Sequence, residues 1–226
     1  MKKVWKRAAA LALGLVAAMG LSGCGELSNL IRSGFDASGY VQGILDCTYK
    51  AAYDQYMKLT DATQEEAEEA YEGGIEAEAQ TFMQMCTIDA DLVSDETLEG
   101  IKDFYRRVYQ KSKYEVKDAV KSDSGFFVEA VIEPIDIFQI AWDDMNAFSE
   151  QFNERFENGE FDEYTEEAFE EEYAQGMLEV CNSYEDQIGY LEPVSVVVTI
   201  FADEDGIYTL SDEDFLRLDT EIISYD

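Results

Sequence analysis

The sequence predicts an α+β fold in which helices pack on one face of a mainly antiparallel sheet of about four strands. Two observations predict it. Apolar residues recur at helical spacing in five segments and alternate with polar residues, as in strands, in others. The segments also come in blocks, in the order ααα-ββ-αα-ββ, rather than in the βαβ alternation of a parallel sheet. Two hairpins, each preceded by helices, are therefore expected to pair into one sheet.

Three helices are predicted before the first strand. The first spans about residues 38–59, because apolar side chains follow helical spacing from Val41 onward. The second begins at a capping box, Thr63-Gln64-Glu65-Glu66, and continues to about residue 86. The third begins at Ser94, and the basic residues near its end match the negative end of the helix dipole.

A β-hairpin is predicted next. Residues 114–121 and 126–133 alternate in hydropathy, Ser122–Gly125 is predicted to form the turn, and Pro134 ends the second strand. The alternation assigns four side chains of the first strand to one face: Tyr114, Val116, Asp118 and Val120.

The second strand of this hairpin also carries apolar residues on both faces. Phe127 points away from the face on which Phe126 lies, because successive side chains of a strand alternate. If helices do not cover that second face, side chains from two strands form an exposed apolar patch: Phe127, Val131, Val197 and Phe201. Such patches are typical of partner or ligand surfaces.

The remaining elements complete the second block of helices and strands. Stripes of apolar residues predict the two helices, and a valine-rich run predicts the longer strand. In order, the elements are a helix over about residues 136–157, a helix over 165–188, a strand over 194–201, a turn at Asp203–Gly206, a strand over 207–210 and a helical turn over 211–218.

The composition is that of a strongly acidic protein. The 226 residues include 16 Lys and Arg, 50 Asp and Glu and no histidine, for a net charge of −34. The first 23 residues hold four of the bases and none of the acids, so the remaining 203 carry −38. Such a body repels nucleic acids, and the lack of histidine excludes Ser-His-Asp catalysis and histidine zinc sites. The acidic turn Asp203–Gly206 keeps only a fragment of a calcium loop, so no metal, cofactor or nucleic-acid partner is expected.

Residues 1–23 are predicted to be a signal peptide. Residues 1–7 are basic, and residues 8–20 form an apolar run of 13. At ~1.5 Å per residue this run spans roughly 20 Å, which is short of the ~30 Å hydrocarbon core of a bilayer. That length is typical of the core of a signal peptide rather than of a membrane-spanning helix.

Leu21-Ser22-Gly23-Cys24 resembles the bacterial lipobox and matches it at all four positions. In that family the cysteine thiol receives a diacylglyceryl group, and signal peptidase II then cuts before the cysteine. The resemblance therefore implies cleavage between Gly23 and Cys24 and a lipidated Cys24, with acyl chains such as palmitate in the membrane. Residues 24–36 would then form the lipidated end and a tether, and residues 37–226 a single acidic α+β domain. An uncleaved anchor or an ordinary secretory signal is the alternative.

Three cysteines remain after Cys24. They are Cys47, Cys86 and Cys181. Export permits disulfides, but three thiols allow at most one bridge within the chain. Free, buried thiols are favoured, and a Cys86–Cys181 or Cys47–Cys181 bridge is the alternative.

The end of the hairpin carries the candidate ligand-binding or catalytic groups. Glu133 and Asp136 flank a proline, Trp142 follows on the next helix, and Phe127 lies on the strand before them. Glycoside hydrolysis needs two carboxyl groups roughly 5 to 10 Å apart. Structural roles explain the same residues, with Asp136 as a helix cap and Glu133 as an edge carboxylate.

Together these observations predict a lipid-anchored, non-enzymatic protein on the extracytoplasmic face of a cell membrane, which binds an unidentified protein partner or small ligand. The mature chain resembles the small α+β surface lipoproteins of bacteria, and this resemblance implies a location but no activity. A carboxylate-dependent hydrolase acting on cell-envelope or extracellular glycans is the alternative. The solute receptor of an importer is disfavoured, because its two α/β lobes need βαβ units.

Overall fold

The computed structural model describes residues 34–202 and 207–225, which form two compact units. The first unit contains the described residues up to Gly74, together with Ser112–Pro134 and Leu191–Ile222. The second contains Ile75–Lys111, Ile135–Tyr190 and the described residues from Ile223 onward. The single domain over residues 37–226 stays a prediction.

Some sequence-based predictions lie outside the described residues. These are the signal peptide, the Gly23–Cys24 cleavage site with its lipidated cysteine, and the turn at Asp203–Gly206.

The fold class is α+β, as the sequence predicts. Within the described ranges the helices are α1 (Ala37–Lys50), α2 (Asp54–Thr60), α3 (Gln64–Cys86), α4 (Asp95–Tyr109), α5 (Ile137–Glu157), α6 (Glu166–Ser183) and α7 (Asp212–Asp219). The strands are β1 (Lys113–Val116), β2 (Val120–Lys121), β3 (Gly125–Glu133), β4 (Val194–Ala202) and β5 (Tyr208–Leu210). Helices and strands follow one another in the predicted blocks.

All five strands form one antiparallel sheet in the first unit. The strand order is β1-β3-β4-β5, with β2 pairing with the same strand, β3, as β1. The two predicted hairpins join through β3 and β4, whose pairing runs from Gly125 opposite Phe201 to Ile132 opposite Val194. A side chain at Gly125 would put its Cβ 1.9 Å from the backbone oxygen of Ile200, so the close approach of the two strands requires glycine here.

The first predicted helix is two helices in the structure. Residues 38–59 were expected to be continuous, but α1 ends at Lys50. The next residue, Ala51, has a left-handed φ of 51° and donates its N–H to the Asp46 oxygen. The chain then turns back, so that α2 packs against α1 and a Cβ on Gly43 would lie only 3.0 Å from the Tyr56 nitrogen. The local sequence could not predict this break, because Ala51 and Ala52 both have a high helix propensity.

Helix α1 covers the inner face of the sheet in the first unit. Val41, Ile44 and Leu45 of α1 are buried, and Tyr114 of β1 donates its hydroxyl to Asp46 of α1 at 2.7 Å. The middle of the inner face is closed, since six side chains of β3 and β4 there are at most 5% exposed: Val128, Ala130, Ile132, Val196, Val198 and Ile200. Helices on one face of the sheet are therefore confirmed in this unit.

The second unit is helical and has an aromatic core. The ring of Phe82 on α3 packs with those of Phe104 and Phe138 at centroid distances of 6.4 Å. Ser94 and Thr165 cap α4 and α6 through hydrogen bonds from backbone N–H groups three residues on, as the sequence predicts for Ser94. The predicted helix over residues 165–188 is shorter, because α6 ends at Ser183 and a 3₁₀ turn follows.

Candidate functional site

The outer face of the sheet carries an exposed apolar surface. Phe127 is 45% exposed, Val197 is 48% exposed and Phe201 is 40% exposed. Val131, on the same face, is partly exposed. The patch predicted for an uncovered second face is thus confirmed.

Strand register makes these side chains neighbours. Phe127 of β3 lies opposite Thr199 of β4, so Val197 and Phe201 are its two diagonal neighbours on β4. On its other side, Phe127 lies directly opposite Val120 of β2, which is 64% exposed. We call the five residues Val120, Phe127, Val131, Val197 and Phe201 the outer patch.

The presence of Val120 in the outer patch corrects the predicted facing of the first strand. Val116 pairs with Ala130, and Val120 pairs with Phe127. Three residues therefore lie between the two pairs on the first strand, but only two lie between them on β3. This β-bulge inserts one residue and turns Val120 from the inner to the outer face. Asp118 is the residue that could have indicated the bulge from the sequence, because an uninterrupted strand would have buried its carboxylate beside Val116.

The α1 helix holds this bulge in place. The Ser38 hydroxyl donates to the Lys117 oxygen at 3.0 Å and accepts from the Ala119 N–H at 2.8 Å. Both backbone groups lie in the extra segment that the ladder leaves unpaired, so Ser38 satisfies two groups that the bulge exposes.

Polar side chains interrupt the outer face without giving it a strong charge. Glu129 accepts a hydrogen bond from the Ser195 hydroxyl at 2.7 Å, across the β3–β4 pair. At the β1 edge, Lys113 faces Glu133 at 3.8 Å, and Lys117 pairs with Glu115. These exposed pairs contribute little to stability, but they leave the face close to neutral in a very acidic chain.

Helix α7 protects one edge of the outer face. The Thr199 N–H of β4 donates to Asp214 of α7 at 2.8 Å, and Arg217 donates to the Val197 oxygen at 3.1 Å. These groups belong to the edge of β4 that β5 leaves uncovered, since β5 pairs only with Ile200–Ala202. Covering a strand edge in this way prevents strand addition there, so the open surface is a face rather than an edge.

The described chain begins at one end of this sheet. The Phe35 ring stacks on Tyr208 of β5 at 4.3 Å and lies 6.0 Å from the Phe126 ring, centroid to centroid. Phe126 precedes Phe127 on β3, and Tyr208 pairs with Ala202, which follows Phe201 on β4. The N-terminal segment therefore joins the first unit at the end of the sheet that carries Phe127 and Phe201.

The predicted ligand residues do not all belong to this surface. Phe127 is central to the outer patch, and Glu133 lies at the edge of the same face beside Lys113. Asp136 and Trp142 belong to the second unit, where Trp142 is 51% exposed on α5. Asp136 occupies the N-cap position of α5, but its carboxylate accepts the Gly189 N–H at 2.8 Å instead of capping the helix.

Several carboxylates that could be suspected of catalysis accept backbone or hydroxyl hydrogen bonds. Glu171 of α6 accepts from the Ser94 N–H and from the Thr97 hydroxyl, at 2.8 and 2.6 Å. Burial raises the pKa of Glu171, but these bonds outweigh it and hold the pKa below its ordinary value. In the first unit, burial raises the pKa of Asp219, and the hydrogen bond from Tyr49 at 2.6 Å opposes that shift.

A cluster of phenols surrounds one carboxylate in the second unit. Glu78 of α3 accepts hydrogen bonds from the hydroxyls of Tyr109, at 2.7 Å, and Tyr225. Tyr225 also lies 3.1 Å from the Tyr105 hydroxyl. Burial, followed by the nearby Glu78 charge, raises the pKa of Tyr105 and of Tyr225. The phenols therefore stay protonated and hold the C-terminal segment against the helices.

The three remaining cysteines are free and buried. Cys47, Cys86 and Cys181 form no disulfide, so neither alternative bridge is present. Burial raises the pKa of Cys47 to about 11 and that of Cys181 to about 12. Neutral, enclosed thiols are poor nucleophiles and poor metal ligands.

Other features of the described residues give no second site. A shallow cleft of about 360 Å³ in the first unit is lined by Asp36, Asp54, Gln55, Lys58 and Leu59. No group of three or more cysteine or acidic side chains within residues 34–202 and 207–225 is arranged to hold a metal ion. In the same ranges, every helix is too short or too polar to cross a bilayer.

The fold is similar to that of a solved bacterial structure. The lipoprotein candidate YcdA from Bacillus subtilis subsp. subtilis str. 168 superposes with a TM-score of 0.58 at 14% sequence identity, over 84% of this chain. The match covers 56% of the YcdA chain, so this chain spans little more than half the length of that protein. No family model and no curated protein matches the sequence. The likeness is one of fold.

Proposed function

We propose that this chain is a lipid-anchored, non-enzymatic protein of the extracytoplasmic surface, which binds a partner or small ligand through the outer patch. The open patch is the observation that carries the proposal. Phe127, Val197 and Phe201 are contiguous and 40–48% exposed. Contiguous exposed apolar residues on a protein surface are typical of a binding site.

The proposed location is supported by the lipobox and by the fold. Leu21-Ser22-Gly23-Cys24 follows a basic segment and a short apolar run, as a lipoprotein signal does. YcdA, whose fold is similar, is itself a lipoprotein candidate. The hydrolase alternative gains no such support, since Glu133 pairs with Lys113 and Asp136 accepts a backbone N–H.

Mass spectrometry of the protein purified from its own membrane tests the anchor. The N-terminal peptide should begin at Cys24 and carry a diacylglyceryl group, and Cys24→Ala should move the protein out of the membrane fraction. A Cys24→Ser variant serves as a conservative control that keeps the size of the side chain but not the thiol. An intact N-terminus, or a residue 24 without fatty acid, would contradict the proposed membrane anchor and location.

Photocrosslinking tests the outer patch separately. A photoreactive phenylalanine analogue at Phe127 should yield an adduct in intact cells, whatever the chemical class of the partner. The matched control is the same analogue at Glu69, an exposed position of α3 in the same unit. Helix α3 packs on α1, where Cys47 contacts the Ala67 oxygen, and α1 covers the inner face. Equal labelling at the two positions would remove the outer patch as the binding surface.

A further inference from the structure

The described chain enters the fold at the end of the sheet that carries part of the outer patch. Phe35 packs on Tyr208 and near Phe126, at the end of the sheet where Val120, Phe127 and Phe201 lie. The lipidated residue of the proposed function, Cys24, precedes Gly34 by ten residues. The described chain therefore begins at the end of the sheet where the exposed aromatic residues lie, although Phe35 itself packs on the inner face that Phe126 and Tyr208 share.

The length of the connecting segment limits how far this end can be from the membrane. Ten residues reach at most about 35 Å, whatever path they take. A surface tethered this closely meets the bilayer at an effective concentration of about millimolar, so a weak contact is enough to keep it docked. A protein partner has to arrive from solution, whereas the bilayer is always within reach.

The chemistry of the outer patch suits the interface between lipid head groups and acyl chains. Its members are two phenylalanines and three valines, which gain by leaving water. Glu129 lies between Phe127 and Val131 on the same face and keeps its carboxylate in water, so the contact is confined to the end of the patch that Val120, Phe127 and Phe201 form. Asp123 in the hairpin turn is negative, and the charges at the β1 edge are paired with each other. The attraction of this face to the bilayer is therefore apolar rather than electrostatic.

A second copy of the chain is a poorer occupant of the same face. Each mature chain carries −38, so two copies placed face to face repel each other. The bilayer carries no such penalty where its lipids are zwitterionic.

We propose that the outer patch docks on the bilayer that holds the lipid anchor, with Val120, Phe127 and Phe201 at the boundary between head groups and acyl chains. This inference rests on the proposed function and names the chemistry of the occupant. It makes the first unit lie with the outer face of its sheet against the membrane and with α1 on the side away from the membrane.

The tryptophans of the chain give a direct test. Of the two, Trp5 lies in the signal peptide, so the mature protein keeps only Trp142. A Phe127→Trp, Trp142→Phe variant places the single tryptophan in the outer patch, and a Glu69→Trp, Trp142→Phe variant places it on the helical side of the same unit. Both lipidated proteins are reconstituted into vesicles of phosphatidylcholine with brominated acyl chains, and quenching of the tryptophan emission is measured.

The expected result is quenching several-fold stronger for the Phe127→Trp variant than for the Glu69→Trp variant, because bromine quenches only at short range. Adding phosphatidylglycerol should weaken the quenching, because its anionic head groups repel the acidic body of the protein. Equal, weak quenching in the two variants would overturn the proposal. Far-ultraviolet circular dichroism of each variant confirms that both are folded.

The outcomes separate this inference from the proposed function. Weak quenching at position 127 together with a protein crosslink there would leave a lipid-anchored binding protein whose patch takes a protein partner. A crosslink between two copies, with a dimer in solution, would identify a second copy as the occupant. Loss of the fatty acid at Cys24 would instead remove the proposed function on which the docking rests.

Discussion

The two faces of the sheet come from the same strands but differ sharply in exposure. Neighbouring residues of β4 show the contrast, since Val198 on the inner face is fully buried and Val197 on the outer face is 48% exposed. Both are valines in the middle of the longest strand pairing. Helix α1 packs against the inner face, and α7 covers only part of the β4 edge.

This difference indicates that apolar side chains on the two faces serve different ends. Burial of the inner residues stabilises the fold, because each removes apolar surface from water. The outer residues contribute little to stability, yet they are large and contiguous. Contiguous exposed apolar residues of this size are typical of interaction surfaces, and the proposed function rests on that pattern.

The largest expected effect comes from placing a charge on either face. Val198→Asp buries an unpaired carboxylate and should cost about 3–5 kcal/mol or more, enough to unfold a marginal unit. Val197→Asp, the matched control on the next residue, should cost about 1 kcal/mol or less. Urea unfolding followed by circular dichroism measures both. Similar losses for the two variants would mean that the outer face is covered.

A smaller effect is expected at alkaline pH, from the covered side of the sheet. Burial raises the pKa of the Cys47 thiol on α1 from 9.0 to about 11. Below pH 9 the thiol is neutral in both the folded and unfolded states. As the pH rises from 9 to 11, the unfolded chain loses this proton first, so the free energy of unfolding falls by up to about 1.4 kcal/mol for each pH unit.

Comparison with Cys47→Ala isolates this contribution. Ionisation of other groups affects both proteins alike, so the variant should lose less stability than the wild type between pH 9 and 11. The measurement is the unfolding free energy from urea titrations at several pH values. Parallel pH profiles would show that the Cys47 thiol ionises as readily in the folded state as in the unfolded chain.

The smallest expected effect is at the edge that separates the two faces. Asp214→Ala removes the acceptor for the Thr199 N–H and should cost about 1 kcal/mol. It should also increase self-association, because it bares part of a strand edge. Asp212→Ala, at an exposed position in the first turn of α7, is the control and should cost a few tenths. Thermal melts and light scattering measure the two effects, and equal behaviour of the variants would discount the edge contact.

Particular elements show why some of the structure was predictable. The capping box at Thr63 and the cap at Ser94 are local patterns, and both mark helix starts in the structure. The strands of both hairpins were predictable because the alternation of apolar and polar residues is also local. The break at Ala51 and the bulge before Val120 were not, because each depends on packing between segments rather than on neighbouring residues.

The candidate site was predicted only in part for the same reason. Phe127, Val131, Val197 and Phe201 were grouped from alternation alone, but their exposure depended on whether a helix covered them. Glu133 and Asp136 stood out only as neighbours in sequence, and their hydrogen bonds show structural roles. The distinction between a buried and an open sheet face is a property of the packed chain.

The sequence by itself determined the α+β class, most helix starts, the hairpin turn at Ser122–Gly125 and the lipobox resemblance at Cys24, because each follows from contiguous residues. Only the tertiary structure decided that α1 lies on one face of the sheet, that a bulge turns Val120 outward, and that the aromatic residues of the other face stay open at the end where the chain enters. Those outcomes depend on distant segments meeting in space, and burial is defined only once they have met.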